Sequence, residues 1–277
     1  LHHFNDNLID GAWGAPSFAE EVMAIATLVQ QQDVSDVEWE TRCELAALYR
    51  IFHNMRMTDL VYTHLSARVP DEPNCFLMNQ YGEMFDEVTA SSLVKMDLDG
   101  NIVGGKGNFN SAGFTIHSAC YIARDDVMAV VHLHTKAGIA VASVKNGLLP
   151  LSQHALYVID NVSYHDYEGP ATDLDERESL GRNLADKGNM LLRNHGTLSV
   201  GRTVPEAFRN AYYLEKSCDI QVATQSLGDE MIMMPEEVVE ESGKTRMKRF
   251  READDVGRLE WDALIRQLDR QGSDHRR

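Results

Sequence analysis

The sequence has no apolar run approaching the roughly 20 residues that a membrane-spanning helix needs, and its first residues, Leu1-His2-His3-Phe4, carry no basic segment leading into an apolar stretch. No secretory signal is expected, and a cytoplasmic location is. Positive charge is scarce: 26 Lys and Arg stand against 43 Asp and Glu, for a net charge of −17. That balance excludes nucleic acid and anionic membrane as natural partners, although it leaves room for a local cationic pocket. Cysteine is also sparse. Cys43, Cys75, Cys120 and Cys218 form no C-x-x-C pair, which excludes a cysteine-built zinc cluster and fits free thiols in a reducing compartment. No internal repeat or low-complexity tract interrupts the chain.

What remains is a 277-residue chain with 43% hydrophobic residues, enough for one large domain with extensions. Helical apolar spacing runs through residues 18–32 and 39–54, the second placing Leu45, Leu48, Tyr49 and Phe52 on one face. Further helices are expected over 111–124, 136–144, 175–187 and 204–225, the last with Pro205 in its first turn. Strands are expected over 60–69, 75–78, 93–98, 127–134, 157–163, 190–192 and 198–200. Asp97-Leu98-Asp99-Gly100 opens like a calcium loop but lacks the downstream ligands, so it reads as a turn. Strands joined by tight turns sit beside strands joined through helices. The expected fold is α/β, with a mixed sheet covered by helices on both faces. The bounds expected are an N-terminal extension with a helix over 1–38, a main domain over 39–228, and a charged tail with peripheral helices over 229–277.

The chemistry concentrates in Val130-Val131-His132-Leu133-His134-Thr135. Residues two apart on a strand project to the same face, so His132 and His134 would present two imidazoles together. Asn194-His195-Gly196, on a tight turn, could supply a third nitrogen. Three protein nitrogens with an open fourth position suit a catalytic divalent metal.

Longer motifs surround these residues. Phe114-x-x-His117-x-Ala119-x-Tyr121-x-Ala123-Arg124 leads into Asp126-Val127-x-Ala129-Val130-Val131-His132-x-His134-Thr135, and Arg193-Asn194-His195-Gly196 is followed by Gly201, Val204 and Glu206-Ala207. With residues 60–68 and Gly82, this pattern resembles the class II aldolase/adducin family over residues 40–225. The resemblance implies a three-layer α/β/α fold around a mostly antiparallel nine-stranded sheet. It implies a divalent metal, zinc before Fe, Mn or Co, held by His132, His134 and His195. It also implies a homotetrameric ring with sites between subunits.

The departures matter as much. Sugar-phosphate aldolases of the family carry Ser-Ser-Glu, with the Glu as ligand and acid/base, where this chain reads Ser111-Ala112-Gly113. Their phosphate-pocket positions are held here by His64 and Tyr81. The substrate space is therefore expected to be bounded by His64, Tyr81, Ser111 and Gly113, with little affinity for sugar 1-phosphates. Glu83 and His154 are the candidate acid/base groups, Glu83 as the replacement carboxylate and His154 as a group reaching across a subunit boundary. His117 reads as a satisfied structural histidine, and Arg124 and Arg193 as ion-pair partners. Tyr164, His165, Tyr167 and Glu168 read as a rim without assigned chemistry.

The function expected is that of a lyase breaking a C–C bond of a small oxygenated or carboxylated molecule through a metal-stabilised enolate. A non-enzymatic adducin-like module and a non-haem iron oxygenase are the alternatives.

Overall fold

The computed structural model describes residues 28–104, 107–169, 174–253 and 255–277. Most of the helix expected over 18–32 lies outside them; within them, Gln31–Asp33 forms one 3₁₀ turn. Helix α1 (Asp36–Asn54) starts where the Ser35 side chain accepts from the Glu38 amide, an N-cap that satisfies one otherwise orphaned donor. Then come β1 (His64–Val69), β2 (Glu72–Met78), β3 (Val94–Asp97), α2 (Ser111–Ala123), β4 (Ala129–Leu133), α3 (Lys136–Ala142), α4 (Gln153–Leu156) and β5 (Val162–His165). The chain continues through α5 (Glu176–Leu184), β6 (Asn189–Leu192), β7 (Gly196–Gly201), α6 (Val204–Ser226), α7 (Glu236–Glu252) and α8 (Arg258–Gln271).

The strands form one sheet of seven in the order β3-β2-β1-β4-β7-β6-β5. All neighbours are antiparallel except β5 and β6. The mixed, mostly antiparallel character is as expected; among the described residues the strand count is seven rather than nine. Strand alternation then divides the core. Leu65, Ala67, Val69, Ala129, Val131 and Leu133 pack with α1 and α6 on one face. Val130, Met190, Leu192, Leu198 and Val200 pack with α2 and α5 on the other. The three-layer α/β/α arrangement follows from these two half-cores.

Three expectations need correction. The strand expected over 60–69 begins only at His64, because Arg56 and Leu60 adopt left-handed φ of 59° and 49° in the preceding loop, conformations incompatible with an extended strand. In place of the strand expected over 157–163 stand the C-cap of α4 at Tyr157, a 3₁₀ turn at Ile159–Asn161 and the first residues of β5. Finally, the charged C-terminal segment is not wholly peripheral. Trp261 and Leu268 of α8 are buried in the same cluster as Leu48, Phe52 and Phe208. Beyond α8, the backbone carbonyls of His275 and Arg277 accept from the amides of Ala90 and Ser91. The high charge of the segment hides the short apolar stripe that docks it. The Asp97–Gly100 segment is a turn, with Asp97 Oδ1 accepting from the amides of Asp99 and Asn101.

Candidate metal centre

The register of the sheet builds the site. His64 lies directly across from His132 in the β1–β4 pair, and β4 pairs with β7 so that Leu133 faces Thr197. His134, just past the end of β4, projects to the same side as His132. The β6–β7 turn brings His195 in, through Asn194 in the left-handed region (φ 59°). Gly196 serves the turn differently from a positive-φ glycine. A Cβ at that position would sit 2.4 Å from the Leu133 carbonyl oxygen, so only glycine lets β7 approach the end of β4.

The three imidazoles converge. Ring centroids are separated by 4.7 Å for His132 and His134, 4.8 Å for His132 and His195, and 4.9 Å for His134 and His195. One ring nitrogen from each lies within 4.8 Å of the others. The hydrogen bonds behind the rings decide the tautomers. His132 Nδ1 is 2.9 Å from the Thr197 carbonyl oxygen, which can only accept. His134 Nδ1 is 3.0 Å from Asp59 Oδ2, also an acceptor. Both Nδ1 atoms therefore carry hydrogen, and both Nε2 atoms of the neutral rings present lone pairs. Those two Nε2 atoms face each other at 2.9 Å. Lone pair against lone pair is repulsive unless a cation is shared between them, and His195 completes a third donor. The residues fit a divalent metal.

Charge state agrees with geometry. Burial, followed by the neighbouring imidazoles, holds His132 well below the ordinary histidine range. His195 is drawn down to about 4 by burial, then by His134 and His165. Neutral imidazole is the form that ligates a metal.

Asp59 and Glu215 are site residues that the sequence analysis missed. Asp59 sits between the left-handed Arg56 and Leu60 and is 75 positions from the ring it orients. Nothing local in the sequence signals such a contact. Glu215 is 1% exposed on α6 and accepts hydrogen bonds from the hydroxyls of Thr135 and Thr197. Thr197 is the residue whose carbonyl holds His132, and Thr135 caps α3 by accepting from the Gly138 amide at 2.9 Å. Burial raises Glu215 to about 7, against the pull of the two hydroxyls. A carboxylate on the apolar face that also holds Leu214 and Cys218 was the available signal. Partners behind a ligand set its orientation and basicity, and losing one costs about 10–100-fold in metal affinity. Glu215→Ala should therefore weaken zinc binding in a chelator competition by about tenfold or more. Glu215→Gln, which keeps an acceptor for one hydroxyl, should weaken it less. Equal affinity in wild type and the alanine variant would remove Glu215 from this role.

Of the other residues singled out in the sequence, Gly113 and His64 are brought together. A Cβ on Gly113 would lie 2.7 Å from His64 Cδ2 and 2.8 Å from Nε2, so the imidazole fills the space beside the missing side chain. His64 is 3% exposed, with its ring 5.0 Å from that of His132. Ser111 is exposed at the first turn of α2, and Tyr81 is 40% exposed in the loop after β2. Neither Glu83 nor His154 is brought against the triad within this chain. Glu83 accepts from Ser92 Oγ at 3.2 Å, and burial raises it to about 7. His154 lies on α4 with its ring 6.0 Å from Tyr213.

His117 is fully buried and bonded at both nitrogens, as expected of a structural histidine. Arg124 pairs with Asp126 at 2.7 Å. Arg193 departs from expectation: its guanidinium donates to the carbonyls of Ala142, Val144 and Lys145 and lies over the face of Tyr164. Tyr167 places its ring 6.3 Å from His195, at the rim. No described helix is long and apolar enough to cross a membrane.

Comparison with known proteins is consistent across sequence and structure. The profile described as Class II Aldolase and Adducin N-terminal domain matches residues 43–222. A protein of Caulobacter vibrioides bearing a provisional class 2 aldolase name is 44% identical over 90% of this chain and 96% of its own length. Mouse alpha-adducin is 42% identical over 83% of this chain, which spans 33% of that longer protein. Among solved structures, an aldolase II superfamily protein from Pseudomonas syringae superposes with a TM-score of 0.83 at 47% identity, covering 89% of this chain and 99% of that one. An L-fuculose 1-phosphate aldolase from Glaciozyma antarctica superposes with a TM-score of 0.75 at 26% identity, covering 87% and 93%.

Proposed function

The chain belongs to the class II aldolase/adducin family, and from that membership we propose that it is a metal-dependent lyase. Its substrate is a small oxygenated or carboxylated molecule without a phosphate, and the reaction is decarboxylation or retro-aldol cleavage. The observation that carries this reading is the facing pair of Nε2 atoms on His132 and His134, 2.9 Å apart, with His195 beside them. In this reading the three histidines hold one divalent metal, zinc before iron, manganese or cobalt. When bound, such an ion supplies a Lewis acid that neutralises charge developing on a substrate oxygen.

The chain's own residues set the rest. Three neutral imidazoles add no negative charge, so the site keeps its attraction for an anionic oxygen ligand. Gly113 offers no carboxylate and His64 occupies the adjoining space, which disfavours chemistry needing a strong base at carbon and favours loss of carbon dioxide. His64, Tyr81, Ser111 and Gly113 bound the substrate. Glu83, held protonatable near neutrality, and His154 are the acid/base candidates. His154 would act from a neighbouring subunit of a closed ring, most simply a tetramer. A location in the cytoplasm suits the free thiols.

The similarity to alpha-adducin supports a second reading, a binding module that retains the fold without turnover. One experiment separates the two. Protein loaded with zinc or iron would be offered 2-keto acids, hydroxyaryl carboxylates, 2-hydroxy ketones and ketose 1-phosphates, and release of carbon dioxide or a carbonyl product would be followed together with oxygen uptake. Turnover of a non-phosphorylated acid or ketone without oxygen uptake is expected. Fully metallated protein inert toward every class would favour the binding module. Efficient cleavage of a ketose 1-phosphate, near a typical turnover of roughly 10 per second, would overturn the exclusion of phosphate.

A further inference from the structure

A buried chain of hydrogen bonds runs from the site into the core beneath α2. His64 Nδ1 is 2.9 Å from His117 Nε2. His117 Nδ1 meets Ser66 Oγ, and Ser66 Oγ is 2.7 Å from the Tyr121 hydroxyl. Register explains the chain. His64 and Ser66 share one face of β1, while His117 and Tyr121 are one turn apart on the face of α2 that covers it. All four residues are at most 3% exposed.

Such a chain has two self-consistent polarities, because each neutral imidazole has one donor and one acceptor. In one, His64 donates from Nδ1 and the hydrogens point inward to Tyr121. The tyrosyl hydrogen then has no acceptor, since Ser66 is its one hydrogen-bond partner among the described residues, and an orphaned buried donor is costly. In the other, Tyr121 donates to Ser66, Ser66 donates to His117 Nδ1, and His117 donates from Nε2 to His64 Nδ1. Every hydrogen deep in the core is then used, and the one left over is on His64, the outermost and most exposed of the four. His64 is left with its hydrogen on Nε2, the atom beside Gly113. No other described residue accepts from it. The nitrogens of His64 also fall outside the set that His132, His134 and His195 bring together.

We propose that Tyr121, Ser66 and His117 lock His64 as a neutral Nε2–H donor aimed into the substrate space, where it hydrogen-bonds a carboxylate or enolate oxygen and does not ligate the metal. This rests on the reading of the triad as a metal site. His64 is the group that touches substrate; the other three are positioning residues. The donor lies beside Gly113, which brings no carboxylate of its own to that point. A negatively charged oxygen can therefore meet it there. The substrate class this fits is a metal-chelating 2-oxo or 2-hydroxy carboxylate, whose second carboxylate or enolate oxygen reaches His64.

The tautomers give a direct test. Long-range proton–nitrogen NMR of uniformly ¹⁵N-labelled, zinc-loaded protein distinguishes hydrogen on Nδ1 from hydrogen on Nε2. His64 and His117 should both read as Nε2–H, whereas His132 and His134 should read as Nδ1–H. Hydrogen on Nδ1 of His64 overturns the proposal. Absence of zinc from the triad overturns the metal reading instead, so the two failures are distinguishable.

Oxalate, a planar chelator with spare anionic oxygen, provides the binding arm. His64→Ala should weaken oxalate binding to the zinc protein by about tenfold or more, the effect of losing a hydrogen bond to a charged group, with zinc content unchanged. His64→Gln, which restores an N–H donor, should recover part of the loss. Oxalate affinity unchanged in His64→Ala would also overturn the proposal.

Discussion

Alanine at His134 should leave the protein folded and nearly free of metal. The side chain is only half-buried and lies beyond the end of β4, so its removal opens little core. Its loss, however, takes away one of three converging nitrogens and leaves the Asp59 carboxylate without the ring it holds. Removing a partner behind a ligand already costs about 10–100-fold in metal affinity, and removing the ligand itself must cost more. Elemental analysis of the purified variant should find less than about a tenth of the wild-type metal, with any lyase activity falling in proportion. Asp59→Asn should sit between, because an amide oxygen still accepts from Nδ1 without the charge. If replacing His132, His134 and His195 together with alanine left stoichiometric metal, the metal lies elsewhere and the assignment is wrong. The group formed by His165, Glu168 and Glu176 would then be the place to look.

The second large effect concerns Gly113. Alanine is favoured over glycine inside a helix by about 1 kcal/mol, so Gly113→Ala in the first turn of α2 would ordinarily be neutral or stabilising. Here the new methyl would meet His64 at 2.7 to 2.9 Å. The imidazole cannot swing aside without giving up His117 at 2.9 Å, and overpacking of this kind costs about 1–3 kcal/mol. The clash outweighs the propensity. Gly113→Ala should lower the thermal midpoint by several degrees, at about 2–4 °C for each kcal/mol in a chain of this size. His64→Ala introduced on top should recover much of the loss, a coupling that a double-mutant cycle measures directly. A single Gly113→Ala variant more stable than wild type would show that His64 does not fill this space. A carboxylate side chain at position 113 and the His64 imidazole cannot share this space.

Where sequence reasoning failed, the failures share a cause. Arg56 and Leu60 occupy left-handed backbone although neither residue type advertises it, so the strand starts at His64 and not at Leu60. Trp261 and Leu268 sit in a segment whose charge outweighs its narrow apolar stripe, and their burial against Phe208 and Phe52 is a property of the assembled fold. Asp59 reaches His134 from 75 positions away, and Glu215 reaches Thr135, next to that ring, from 80. No window along the chain contains both ends of such a contact.

By itself the sequence determined the α/β class, the order of the central elements and the identity of the three converging histidines. It could do so because strand and glycine-turn geometry are local: a period of two puts His132 and His134 on one face, and a small residue after His195 admits a close turn. Only the tertiary structure decided which ring nitrogens of His132, His134 and His64 meet a partner, because those contacts depend on Thr197, Asp59 and the Tyr121–Ser66–His117 chain. Those partners come from different strands, helices and loops. They meet only once β1 has paired with β4 and α2 has packed across them.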